Sequence, residues 1–189
     1  GLCYDLGEET GRALAAAAGW YRFAALQGNA DAQYHLGDCY YFGKGVARDA
    51  QAAVRCYHAS AAQGNAQALY SLGYCFKTGQ GVPQDYDAAI RFYTLAADRG
   101  SLSALCGIGC CYRNGEGVAQ DADEAAEYFC LAADQGNAEA QYCLGCCYEN
   151  GEGVGQDTAM AADCYRLAAN QGHADAQSAL ERLEKALTP

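Results

Sequence analysis

The chain has 189 residues, 51% of them hydrophobic, and a net charge of −11. That is enough apolar material for a core, and too much negative charge for a protein that wraps nucleic acid, whose phosphates demand a basic face. No run approaches the ~20 apolar residues of a membrane-spanning helix, and no charged-then-apolar leader opens the sequence, so no membrane insertion is expected. Proline is confined to Pro83 and Pro189 while alanine abounds, which favours helix over sheet. The first residue is Gly1, inside what reads as a structural element, so a fragment or processed form is expected.

In chain order, residues 1–27 are a worn copy of a repeat that fills the rest of the chain, with Cys3 and Tyr4 on the columns of Cys39 and Tyr40. They contain "GEETGRALAAAAGW", which keeps Gly7 but lacks the second glycine, valine and aspartate of the later copies. Four full copies then run without insertion at a 36-residue register: 28–63, 64–99, 100–135 and 136–171. They open as "GNADAQYHLGDCYYFGKGVARD", "GNAQALYSLGYCFKTGQGVPQD", "GSLSALCGIGCCYRNGEGVAQD" and "GNAEAQYCLGCCYENGEGVGQD". Within each, an Asn or Ser (Asn29, Asn65, Ser101, Asn137) caps a first helix whose apolar residues recur at three- and four-residue steps. A glycine ends that helix at Gly43, Gly79, Gly115 or Gly151, and a second glycine and a valine let the chain reverse. Asp49, Asp85, Asp121 and Asp157 cap the second helix, and Glu124 completes a capping box with Asp121. Small residues at Gly37, Ala53 and Ala61 and their 36-residue partners mark close helix approach. Residues 172–189 form a cap helix with a charged outer face. About eleven helices are expected, as five antiparallel pairs plus the cap. One such unit cannot bury its apolar face alone, so the copies stack. The expected fold is an all-α, right-handed α/α superhelical solenoid, one array over 1–189.

The pattern "AxAQYxLGxCYxxGxGVxQD" followed by "AAxxYxLAAxQG" resembles the Sel-one-like repeat family, a relative of the tetratricopeptide repeat. The resemblance covers essentially the whole chain. It implies adaptor work: scaffolding of complexes through protein–protein contacts. If the tetratricopeptide arrangement carries over, the first helices line a groove, with Asp31, Tyr34, Asp38, Tyr41 and Phe42 and their partners exposed. That gives a tyrosine row (Tyr34, Tyr70, Tyr142) with Tyr74, Lys77, Arg113 and Glu149 alongside. The same column also suits packing against a neighbouring helix, and both readings stand. The expected partner is a protein or extended peptide, neutral to basic, bound by a monomer.

Twelve cysteines need an account. Cys3, Cys39, Cys75, Cys111 and Cys147 share one column, and Cys56 and Cys164 another that elsewhere holds Trp20, Phe92 and Tyr128. Same-column residues of neighbouring repeats lie about 10 Å apart, beyond disulfide reach, and read as small buried hydrophobes. The remaining five are Cys106, Cys110, Cys130, Cys143 and Cys146. Four thiolates can hold zinc, and Cys106–Cys130 can form a redox pair. Because the two close pairs sit on adjacent repeats, the preferred reading is reduced thiols with no bound metal or cofactor, in a reducing, cytoplasmic setting, with an exported form as the alternative if a leader has been removed. A cysteine-rich bacterial branch of the family implies a disulfide in each unit and penicillin binding. The corresponding positions here hold Ala61 and Leu69, which weakens that transfer. His35, His58 and His173 occupy unrelated columns without a catalytic partner, so an enzyme is not expected. A bare spacer within a longer protein is the further alternative.

Overall fold

The computed structural model describes the backbone of residues 2–187 and the side chains of residues 11–185. Among the described residues there are ten helices and no strand: α1 (Leu2–Leu26), α2 (Ala30–Phe42), α3 (Ala50–Ala61), α4 (Ala66–Thr78), α5 (Tyr86–Ala97), α6 (Leu102–Asn114), α7 (Ala122–Ala133), α8 (Ala138–Asn150), α9 (Thr158–Asn170) and α10 (Ala174–Leu187). Contacts group them into two compact units, Gly1–Arg99 and Gly100–Pro189. In the first unit each helix from α1 to α5 packs on the next; in the second, α6 to α10 do the same and α6 also touches α8.

Capping chemistry sets the helix bounds. Asn29 Oδ1 accepts from the Ala32 amide at 2.8 Å, and Asn65, Ser101 and Asn137 repeat the contact. Each such cap is worth about 1 kcal/mol. Gly43, Gly79, Gly115 and Gly151 stop the first helices with φ between 69° and 73°. The hairpin is then closed twice. The Asp85 amide donates to the Phe76 carbonyl at 3.0 Å, and Gln84 Nε2 donates to the Lys77 carbonyl at 2.8 Å. Gln120 and Gln156 repeat the glutamine latch. The capping box expected at Asp121 is only half made: Asp121 accepts from the Asp123 and Glu124 amides, but its own amide donates to the Tyr112 carbonyl. The hairpin bond takes the donor that Glu124 would need.

The second glycine of the hairpin has a role beyond the turn. A Cβ on Gly81 would collide with the Ala50 carbonyl oxygen, and one on Gly153 with that of Ala122. The turn of one repeat is pressed against the start of the preceding repeat's second helix. On Gly45 the same collision is with Leu14, which stands 36 residues before Ala50 in the α1 register.

The first copy departs from the expected pair. Residues 2–26 form the single helix α1, which brings the total to ten rather than eleven. In place of the second glycine, valine and aspartate this copy has Glu9, Thr10 and Ala13. Without the second glycine and the aspartate cap the two-glycine hairpin is not made, and the backbone continues as helix through Leu26. The Cys3 and Tyr4 column assignments lie outside the residues whose side chains are described.

Each helix pair is locked by a large ring over a glycine. Tyr57, Tyr93, Phe129 and Tyr165 are fully buried, on Gly37, Gly73, Gly109 and Gly145 respectively. A Cβ on Gly37 would sit 2.5 Å from the Tyr57 ring. The sequence reading of Gly37 as a close-approach residue is thereby given its partner. Ala53, Ala89, Ala125 and Ala161 are buried beside it.

Candidate binding face and thiol cluster

The predicted face is distributed over α2 and α4 in the first unit and α6 and α8 in the second. Its tyrosine row is half-buried, and the rings lean on the buried column. Tyr34 lies 6.1 Å from Tyr57, Tyr70 5.6 Å from Tyr93, and Tyr142 5.7 Å from Tyr165. Burial, and then Asp38, pushes the Tyr34 phenol up to about 12. The row therefore braces the helix pairs and presents only part of each ring.

The exposed aromatics lie further along the same helices. Phe42 is 59% and Tyr74 41% exposed. Tyr41 stands between them, its ring 4.9 Å from that of Phe42 and 6.4 Å from that of Tyr74. Lys44 Nζ lies 4.8 Å from the centre of the Phe42 ring. Phe42 is the last residue of α2, so the glycine that ends the helix also leaves this ring at an open edge.

The acidic residues of these first helices fall into two kinds. Asp31 accepts from Asn65 Nδ2 at 2.9 Å and Asp38 from the Tyr57 hydroxyl at 2.8 Å. Both donors are neutral, so the charges are kept. In the second unit Arg182 makes a two-pronged pair with Glu149 at 2.6 and 2.8 Å, and His173 meets Glu139 at 3.0 Å. Glu149 also accepts from the Tyr165 hydroxyl at 2.7 Å. Arg182 holds the Glu149 carboxyl below its usual range against the opposing effect of burial, and Tyr165 adds to the lowering. Glu149 thus ties α8 to α10 and is spent on structure.

None of the eleven described cysteines is in a disulfide. Cys39, Cys75, Cys111 and Cys147 are buried, and burial pushes Cys75 and Cys147 up to about 11. Trp20, placed by sequence in the Cys56 column, is exposed on α1 together with Phe23 and Leu26. The expectation that adjacent repeats keep the remaining thiols apart is corrected. The sulfurs of Cys106 and Cys110 on α6 and Cys143 on α8 all lie within 4.8 Å of one another. Cys106 and Cys143 are only 4% and 3% exposed. Cys106 is held above the ordinary thiol range by hydrogen bonds with Cys110 and Cys143, then by burial. For Cys143 the Cys106 hydrogen bond acts downward and is outweighed by that with Cys110 and by burial. Arg113 Nη2 reaches Cys110 Sγ at 3.8 Å, its guanidinium 5.3 Å from the Phe129 ring centre. Cys146 and Cys130 go elsewhere, to the Tyr165 hydroxyl at 3.4 Å and to Asp134 at 3.9 Å.

Paired helices, two-glycine hairpins and ring-on-glycine locks define an α/α repeat solenoid. The Sel1 repeat model matches residues 1–29, 30–65, 66–101, 102–137 and 138–173, and the chain belongs to the Sel1 repeat family. Its structure is similar to that of a Sel1 repeat protein from Oxalobacter formigenes, with 35% identity, 88% of this chain and 66% of that chain covered, and a TM-score of 0.83. It is also similar to c5321, a protective antigen of uropathogenic Escherichia coli strains displaying an SLR fold, with 32% identity, 92% and 38% coverage, and a TM-score of 0.76. Helicobacter pylori cysteine rich protein B, 22% identical over 70% of this chain and 96% of its own, with a TM-score of 0.56, shares the fold alone. The chain spans just under two thirds of the first of these proteins and well under half of the second. No curated protein matches the sequence. Sel1 repeat proteins are in general protein-interaction scaffolds, and the fold is typically not enzymatic. Among the described residues no helix is long and apolar enough to cross a membrane.

Proposed function

We propose that the protein is a scaffold that binds an extended, neutral to basic segment of another protein on the first-helix face, with the α2–α4 edge as its anchor. The observation that carries this reading is the exposed pair Phe42 and Tyr74, held rigid by Tyr41 between them. Rigid aromatic rings bring large contact area at low rotamer cost, which is why they dominate binding hot spots. Asp31 and Asp38 keep their charge on the same two-helix face, so a basic segment is steered toward it. Tyr34 and Tyr70 support that two-helix face from behind, and Lys77 belongs to its edge.

The test is a selection of displayed peptides on the full chain, followed by affinity measurement for the best binder. Replacing Phe42 and Tyr74 together by Ser should weaken that binder by about 100-fold, as loss of two hot-spot rings implies, with far-UV circular dichroism unchanged. Raising salt should slow association of a basic binder. Binders indifferent to both substitutions would move the site to another face. Selection of none would count against the scaffold reading.

A further inference from the structure

We propose that Cys106, Cys110 and Cys143 form a three-thiolate site for one soft closed-shell metal ion, copper(I). The inference is independent of the protein-binding face, because every group it uses lies in α6 and α8.

Three sulfurs within 4.8 Å of one another already surround a common point. Metal–sulfur bonds of about 2.3 Å would set the sulfurs roughly 4 Å apart, so closure needs only a small side-chain adjustment. The donors come from two helices that are fixed independently. Cys106 and Cys110 are one turn apart on α6 and so share a face, and α8 supplies Cys143. Among the described residues no carboxylate or imidazole joins the group. An all-thiolate set selects soft ions. Zinc favours four ligands in a structural site, whereas three donors suffice for copper(I). Three thiolates around a monovalent ion leave excess negative charge. Arg113 contacts Cys110 Sγ and partly neutralises it. Its guanidinium lies near the half-buried sulfur, the side from which an ion would enter.

The repeat supplies an internal control. Seventy-two residues earlier, two registers back, the three positions are Tyr34, Asp38 and Ser71. Those residues serve the same scaffold in the first unit, so packing does not require sulfur there. All three positions are cysteine in the second unit, and their thiols meet. On binding, each thiol proton leaves to solvent and its sulfur bonds the ion; no electron is transferred and no oxidant is needed.

The full chain, reduced and kept free of oxygen, should retain one equivalent of copper(I) against bicinchoninate. X-ray absorption at the copper edge should show sulfur neighbours alone. Cys130→Ser, at an exposed position outside the cluster, should retain the ion. Cys143→Ser should weaken retention by more than about tenfold, the usual scale for damage to a metal site. The triple variant Cys106→Tyr, Cys110→Asp, Cys143→Ser installs the residues of the first unit; it should fold, as read by circular dichroism, and retain none. The proposal is overturned if the parent chain keeps no stoichiometric copper, if the folded triple variant keeps as much as the parent, or if zinc displaces copper(I) at equal concentration. Rapid loss of two cluster thiols to a disulfide in air, with no metal retained before oxidation, would also overturn it.

Discussion

The α2–α4 region and the α6–α8 region are built on one plan and filled differently. In the first, Tyr57 covers Gly37 and its hydroxyl reaches Asp38, with the Tyr34 ring tilted against it. In the second, Phe129 covers Gly109, and Cys106 and Cys110 occupy the Tyr34 and Asp38 positions. A ring without a hydroxyl offers nothing to a carboxylate, so exchanging the ring and exchanging the acid are chemically linked. The lesson is that the lock itself is only ring against glycine, and the polar partner beside it is free to change. That freedom gives the first region a charged aromatic face and the second a thiol cluster.

The largest expected effect tests whether the shared plan is the same in both units. Gly81→Ala and Gly153→Ala each place a methyl group against a backbone carbonyl, at φ of 78° and 70°. Overpacking and a left-handed residue together should cost about 3 kcal/mol. Thermal unfolding should shift to lower temperature for both variants. A loss in one alone would mean that the hairpin approach matters in only one unit.

A smaller effect isolates the difference. Tyr57→Phe removes the hydroxyl bonded to Asp38 and should cost about 1.5–3 kcal/mol, the range for a hydrogen bond to a charged group. Phe129→Tyr should also destabilise, because its hydroxyl would meet thiols, which are weak acceptors. Adding Cys110→Asp should recover part of that loss. Denaturant midpoints for the four chains of this cycle give the coupling. Zero coupling between positions 110 and 129 would break the argument that ring and acid are exchanged together.

Most of the fold was legible because its signals are local. The Asn and Asp caps, the two glycines and the 36-residue register are each set by backbone chemistry within a few residues. The single helix α1 follows from the same signals by their loss at Glu9, Thr10 and Ala13. The thiol cluster was not legible, because its members sit in different columns of adjacent repeats, where sequence alone shows no approach. Cys143 is 37 residues from Cys106 and 33 from Cys110, off the 36-residue column in both directions. Other contacts between repeats share that property: Asn65 with Asp31 spans 34 residues and Arg182 with Glu149 spans 33. Side chains reach across from facing sides of neighbouring helices, so the informative offset is not the repeat length. The tyrosine row was ambiguous for a related reason. Its column is on the first-helix face, but the ring directions toward Tyr57, Tyr93 and Tyr165 depend on the second helix.

The smallest effect concerns charge. Asp38 is held by a neutral hydroxyl, whereas Glu149 is held by Arg182 as well as by Tyr165. The Glu149 pKa is lowered on folding, with Arg182 the leading cause. A carboxyl whose folded pKa lies below its unfolded value contributes stability that is fully present above the unfolded pKa. That contribution is lost as pH falls through the folded pKa. Glu149→Gln should therefore lower the melting temperature at neutral pH and have little effect once both chains are acidified well below the ordinary carboxylate range. Arg182 is largely exposed, so screening keeps the difference below about 1 kcal/mol, and added salt should shrink it further. A gap between the two chains that persists undiminished at low pH would assign the role of Glu149 to packing against Tyr165. The second unit would then hold its acid as the first holds Asp38, by a neutral donor, and the electrostatic contrast between them would disappear.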